Sequence, residues 1–280
     1  MKKYRLYLSI ALIGLCCSFV IYSAQPKPTI YLIGDSTVRH GVNGNGDEGG
    51  RWGWGSFIYN LFDTTKIAVE NHALGGTSSR SFVTLNLWSK VLAKLKPGDF
   101  VIMQFGHNDN GRGTVKGNGE DTIHLLNPRT KEVEVIHSFG WNMRKYIKET
   151  KEKGATPIVC SLVPRNKWTN GKVNRDNHAH GEWAKQAAEQ EGAFFIDLNT
   201  IIANHYDLLG QDKVLATYFT SADPVHTIEA GAKMSATLVV QGLKGLKNDP
   251  LKKYILKNPA DMSAWKYQPS ADYRDKPAAK

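Results

Sequence analysis

The sequence predicts an α/β fold in which one parallel sheet is covered on both faces by helices. Three observations carry this expectation. Short apolar runs of strand length recur at residues 30–33, 67–69, 100–105, 158–163 and 194–198. They do not alternate with polar residues, which marks strands buried on both faces. Segments of helical periodicity lie between them, the order that builds parallel sheets.

The chain starts with a basic stretch, Lys2, Lys3 and Arg5, followed by an apolar run over 8–22. Ser23 and Ala24 are small, and Gln25-Pro26-Lys27-Pro28 follows. This is the pattern of a secretory signal over 1–24, removed on export. The run is short for a membrane span of ~20 residues, so no stable membrane insertion is expected after cleavage. The destination is then periplasmic or secreted. Lipid anchoring through Cys16 or Cys17 ranks lower, because Leu15 or Cys16 stands where a small residue is wanted. One main domain is expected over 25–248 and an extension over 249–280.

The first apolar run ends in Gly34-Asp35-Ser36-Thr37. The second leads to Asn71 and the Gly75-Gly76 pair, and the third to Gly106-His107-Asn108-Asp109. Residues 110–136 are long for a connection. Ile123 and Leu125 alternate, Asn127-Pro128 signals a turn, and Val133 and Val135 alternate again, which predicts an inserted hairpin. Over 138–153, Phe139, Met143, Tyr146 and Ile147 share a helical face, and Gly154 supplies the left-handed stop. Cys160 falls on the fourth strand as a small hydrophobe; once the leader is gone it has no partner for an internal disulfide. Trp168 follows in a polar loop over 165–172. Trp183, Ala184, Ala187 and Ala188 mark the next helix, which Gly192 ends. Asp223-Pro224-Val225-His226 precedes a last helix over 230–246 that turns Met234 and Leu238 inward. A short helical piece over 251–256 opens a Pro-, Ala- and Lys-rich tail, expected to be surface-docked or loose.

Composition agrees with a globular domain: of 280 residues, 41% are hydrophobic and 22% charged. The formal charge of +10 falls to +7 once Lys2, Lys3 and Arg5 are removed with the leader. The cations are dispersed in runs of two at most, which sets nucleic acid aside as a partner. An acidic partner remains compatible with the excess charge.

The chemistry-bearing residues gather at strand ends. In parallel sheets ligands bind outside the carboxyl ends of the strands, which is where Ser36 stands. A serine nucleophile needs a base, and the base needs a partner on its other nitrogen. Asp223, three residues before His226, can provide that partner locally. Asn108 can aim its amide at a developing oxyanion, and the Gly75-Gly76 pair can offer a backbone N–H. Gly-x-Ser-x-Gly occurs nowhere in the chain, which disfavours the nucleophile-elbow hydrolases. The stretch Gly44-Asn45-Gly46-Asp47-Glu48-Gly49 matches a dinucleotide fingerprint in form, but it opens no obvious helix and reads as a loop. Asp176, His178 and His180 lack a further ligand nearby, so a solvated helix face is expected there and no metal.

Together these blocks make the chain resemble the SGNH or GDSL-type hydrolases, most closely their rhamnogalacturonan acetylesterase branch. Gly34-Asp35-Ser36 matches the first block. Asn71-His72-Ala73-Leu74-Gly75-Gly76 with Ser78-Ser79-Arg80-Ser81 matches the second, Gly106-His107-Asn108-Asp109 the third, and Asp223-x-x-His226 the last. Arg51-Trp52-Gly53-Trp54-Gly55 also fits the branch, whereas Thr77 stands where the branch more often has Arg. The resemblance spans 29–246. It implies a three-layer α/β/α sandwich with a flavodoxin-like sheet, a Ser36–His226–Asp223 triad, and an oxyanion hole of Ser36, Gly76 and Asn108 without cofactor. The implied function is an exported serine esterase that removes O-acetyl groups from plant cell-wall polysaccharide, with pectic rhamnogalacturonan the first choice. Acetylated xylan or another acyl ester is the alternative within the chemistry; a catalytically dead carbohydrate-binding protein is the alternative outside it. Arg80, Arg165 and Trp168 are the expected substrate contacts, with Lys167 and Arg175 nearby, and a monomer is expected.

Overall fold

The computed structural model describes residues 27–39, 50–111, 113–126, 131–175 and 179–257. The leader, the Gly44–Gly49 stretch, the Asn127-Pro128 turn, Asp176 and His178 lie outside them.

Strand β1 (Thr29–Gly34) runs into the Ser36 turn, and two short 3-10 turns follow at Trp54–Ser56 and Ile58–Leu61. Then come β2 (Ala68–Asn71), helix α1 (Ser79–Thr84), α2 (Leu87–Lys94) and β3 (Phe100–Gln104). The expected insertion is a hairpin of β4 (Thr122–Leu126) and β5 (Val133–His137), paired antiparallel with Ile123 opposite Ile136. Helix α3 (Phe139–Glu152), β6 (Thr156–Cys160), a two-residue hairpin of β7 (Trp168–Thr169) and β8 (Lys172–Val173), α4 (His180–Gln190) and β9 (Phe194–Ile196) complete the alternation. Helices α5 (Leu198–Leu209), α6 (Gln211–Tyr218) and α7 (Glu229–Lys244) close the domain.

Five strands form one parallel sheet in the order β2-β1-β3-β6-β9. Strands β1, β3 and β6 each serve two cores, which explains why their apolar runs are continuous. Ile30, Leu32, Ile102, Ile158 and Cys160 enter one core with α5, α6 and α7. Ile33, Val101, Met103 and Val159 enter the other, with Phe82, Trp88, Phe139, Tyr146 and Ala187 from α1 to α4. Burial pushes the Cys160 thiol up to about 12, so it serves as packing and not as a nucleophile.

Local chemistry ends the elements. Ser138 caps α3 by accepting from the Trp141 N–H, and Gly154 and Gly192 take positive φ after α3 and α4. Strands β9 and β6 stop well before their apolar runs end. β9 stops at Ile196 because Asp197 caps α5, accepting from the Thr200 N–H at 3.2 Å. β6 stops at Cys160, after which the Ser161 side chain bonds Asp197.

The expected helix over 251–256 is a correction: this segment is a turn with an isolated bridge between Ile255 and Phe62. It is docked, since Leu251 is fully buried and the Asp63 N–H donates to the Tyr254 carbonyl. Trp168 likewise sits on β7 and not in an open loop, partly buried against the first core. No helix among the described residues is long and apolar enough to cross a membrane.

Candidate active site

The strand order reverses direction between β1 and β3: β2 lies on one side of β1, and every later strand lies on the other. Loops leaving β1 and β3 therefore diverge, and a crevice opens at their carboxyl ends. Ser36 follows β1, and Asn108 follows β3.

The Ser36 turn is tied from within. The Val38 and Arg39 N–H groups donate to the Asp35 carbonyl, while the Thr37 N–H and hydroxyl both donate to Asp35 Oδ1. Gln104 bonds Thr37 through its amide at 2.6 Å and accepts from the Trp54 indole at 2.8 Å. Gly34 has no room for a side chain, since a Cβ would lie 2.5 Å from the Gln104 carbonyl oxygen. This close approach holds the turn against β3.

The loop before α7 brings His226 onto that serine. His226 Nε2 lies 2.8 Å from Ser36 Oγ, and Nδ1 lies 2.8 Å from Asp223 Oδ2. With the proton on Nδ1, the ring donates to Asp223 and leaves Nε2 to accept from the serine. Asp223 Oδ1 also accepts the Val225 and His226 N–H groups. Burial works against the Asp223 charge, but the His226 and Val225 hydrogen bonds outweigh it and hold the carboxyl below its ordinary value. Arg51 adds a contact that the sequence did not signal: its Nε lies 3.2 Å from Asp223 Oδ2. The neighbouring Trp52 N–H donates to the Thr227 carbonyl, so this segment clamps the histidine loop.

Two further blocks converge from β2 and β3. Asn108 donates one amide hydrogen to the Thr77 carbonyl at 3.0 Å, which orients the group and leaves its second hydrogen uncommitted. Thr77, the departure from the branch pattern, donates its hydroxyl to the Gly34 and Leu74 carbonyls. Gly76 has φ +78 and open space where a Cβ would project. Among the described residues the N–H groups of Ser36 and Gly76 find no acceptor. The Ser36 and Gly76 N–H groups and one Asn108 amide hydrogen are thus three donors without a protein partner among the described residues. Under them, buried Asp109 accepts from the Ser79 N–H and hydroxyl, joining the third block to the start of α1. Burial, opposed by the Ser79 bonds and reinforced by the charge of Asp35, raises the Asp109 carboxyl to about 7.

The expected substrate contacts separate. Arg80 forms an ion pair with Glu134 of the inserted hairpin at 2.6 Å, so its charge is already matched. Arg175 pairs with Asp207 of α5 at 3.2 Å. Arg165 donates to the His107 carbonyl at 3.4 Å and lines a cavity beside the site with Lys167. Trp168 donates to Asn166 Oδ1, and the Asn166 N–H donates to the Pro224 carbonyl, which fixes the β7–β8 hairpin to the histidine loop. Among the described residues no group of three or more His, Cys, Asp or Glu is placed to hold a metal ion.

The arrangement suits acyl transfer: a serine hydroxyl, a base on it, an acid orienting the base, and uncommitted donors on the blocks that leave β1, β2 and β3. Comparison with known proteins points the same way. The family described as GDSL-like Lipase/Acylhydrolase matches residues 32–234. The chain is 29% identical over 215 residues to a rhamnogalacturonan acetylesterase of Emericella nidulans, covering 74% of this chain and 81% of that protein. It is 31% identical over 232 residues to a Bacillus subtilis protein named "Probable rhamnogalacturonan acetylesterase YesY", covering 81% and 97%. The crystal structure of YxiM from Bacillus subtilis superposes with a TM-score of 0.63 at 30% identity, over 78% of this chain and 56% of that one. Axe2, an acetylxylan esterase from Geobacillus stearothermophilus, shares the fold with a TM-score of 0.51 at 19% identity, over 79% and 95%.

Proposed function

The chain belongs to the GDSL-like Lipase/Acylhydrolase family, and from that premise we propose that it is an exported serine acetylesterase acting on plant cell-wall polysaccharide, pectic rhamnogalacturonan first. The observation that carries the reading is the hydrogen-bonded chain Asp223–His226–Ser36 at the carboxyl end of β1. Ser36 Oγ attacks the acetyl carbonyl as His226 Nε2 takes its proton. The Ser36 and Gly76 N–H groups and the Asn108 amide receive the negative charge on the carbonyl oxygen. His226 then returns the proton to the departing sugar hydroxyl, leaving acetyl-Ser36. Water, deprotonated by His226, releases acetate and restores the serine. Asp223 orients the ring and stabilises the imidazolium formed in each half.

The substrate choice is supported by the names of two relatives that are matched over most of their own length and by the net positive charge. Export is supported by the leader pattern over 1–24. Two measurements test the proposal. An organofluorophosphate labels Ser36, read by intact mass, and Ser36→Ala abolishes the labelling. Acetate release is then compared across acetylated rhamnogalacturonan, acetylated xylan and a small acetate ester. Removal of the serine or the base of such a triad costs on the order of 10⁶ in kcat. A folded Ser36→Ala protein that keeps about a tenth of the activity defeats the assignment. A dead binding protein leaves Ser36 unlabelled, and faster release from xylan moves the substrate while leaving the chemistry.

A further inference from the structure

A cavity of about 120 Å³ opens between the loop that leaves β3 and the segment that follows β6. Gly106 and His107 form one wall, and residues 162–165 form the other. This volume is well above the ~10–15 Å³ that admits a single water, so a carboxylate with its attached ring carbon can enter. The cavity adjoins the serine site through the chain on both sides. His107 precedes Asn108, and Asn166 is bonded to the carbonyl of Pro224 in the histidine loop.

The lining is one-sided in charge. Arg165, Lys167 and Arg175 contribute cations, Asn110, Asn174 and Asn199 contribute amides, and among the described residues no acidic side chain lines it. Arg175 is matched by Asp207. Arg165 and Lys167 meet no carboxylate among the described residues. Arg165 is half-buried, and among the described residues its hydrogen bond is the long one to the His107 carbonyl. A guanidinium so placed retains donors for a planar anion, which it binds in a bidentate fork.

We propose that this cavity is a carboxylate subsite, in which Arg165 and Lys167 hold the acid group of a sugar acid while a neighbouring sugar presents its acetyl ester to Ser36. This rests on the esterase reading for the second half of the statement only; the anion site stands on its own lining. The subsite makes the enzyme select a polymer that carries uronate and disfavour a neutral one. Asp207, by neutralising Arg175 and accepting the Val173 N–H, holds the β7–β8 hairpin in place behind the pair.

Calorimetry with the Ser36→Ala protein tests it, because ligand then binds without turnover. The probes are a rhamnogalacturonan oligosaccharide with free carboxylates and the same oligosaccharide fully methyl-esterified. The acid should bind about tenfold or more tightly than the ester, the scale of one charge-assisted hydrogen bond. Arg165→Gln and Lys167→Gln, each added to Ser36→Ala, should weaken the acid far more than the ester, so that the ratio of the two Kd values collapses toward one. Lys167 is the more exposed and should give the smaller, several-fold change. Arg165→Gln also removes the bond to His107 and can loosen that loop; Lys167→Gln leaves it intact and decides the matter if the Arg165 variant is unstable. Equal weakening of acid and ester, or a ratio that neither variant alters, overturns the subsite. If the wild-type protein releases acetate yet shows no preference for the acid, the subsite fails and the esterase reading stands. If it releases no acetate from any substrate while the Kd ratio responds to both variants, the esterase reading fails and the subsite stands.

Discussion

At the scale of single residues, the site separates groups that change charge from groups that only direct it. Asn108 is held by Thr77 with one hydrogen to spare, a geometry that matters as negative charge develops on the substrate. Asn108→Ala should lower kcat by ~10²–10³ with a smaller change in KM; an unchanged kcat would reduce Asn108 to a shaper of its loop. His226 works as a base only when neutral. kcat/KM should therefore fall by one proton's slope as acid protonates the ring. The Asp223 carboxyl is held below its ordinary value, so it stays ionised through that limb. Its hydrogen bonds stabilise the fold above the unfolded carboxylate range of ~3.9 and cease to do so as pH falls further. A pH–rate profile flat from pH ~5 to ~9 would contradict a histidine base.

At the scale of elements, the start of α1 is the joint that aligns the second block with the third. Asp109 grips the Ser79 N–H and hydroxyl, and the Tyr146 hydroxyl of α3 donates to the Ser79 carbonyl. The Tyr146 ring stacks on Phe105 at 5.6 Å and meets Trp88 edge-on. Tyr146→Phe should keep the ring contacts and lose the hydrogen bond, lowering stability by ~1–2 kcal/mol in urea unfolding. Asp109 gives a test with a sign. Its folded value of about 7 lies above the ordinary carboxyl, so the folded protein keeps a proton that the unfolded chain releases. Stability should fall as pH rises from ~4 to ~7 and level off above. Asp109→Asn should remove that slope; a wild type with the same slope as the variant would rule the effect out. The segment after α7 is a further joint. Leu251 and Ile255 are buried in the first core, and deleting 249–280 should cost ~3–6 kcal/mol from those two side chains.

The whole molecule is a sheet whose two faces are packed independently, so a core substitution reads as a stability change without touching the crevice. Ile102, fully buried on the central strand, should cost ~2–5 kcal/mol as Ile102→Ala. At roughly 2–4 °C per kcal/mol, the melting temperature should drop by ~4–20 °C. The net charge acts at this scale too. Acetate release from an acidic polymer should weaken as salt rises, because exposed charges are screened beyond ~8–10 Å. A small neutral ester should hardly respond, and an identical salt dependence for both would remove the electrostatic argument.

The amino-acid pattern alone determined the layered architecture, the order of the sheet-forming runs, and the four blocks that carry Ser36, Gly76, Asn108 and His226. These are legible because they follow from short-range rules. A run buried on both faces must be apolar throughout, a helix end needs its glycine or cap, and an aspartate three residues from a histidine can meet it locally. Helix α5 was not legible, since Leu198 continues the β9 run and only Asp197 marks the break. Packing alone decided which distant charges meet. Arg51 reached Asp223, Arg80 was taken by Glu134, Arg175 by Asp207, and Arg165 was left facing a cavity. Nothing in the spacing of those residues distinguishes a matched arginine from an unmatched one. The difference is a through-space distance, and it exists only after packing has brought Glu134 of β5, Asp207 of α5 and Asp223 of the histidine loop to their arginines.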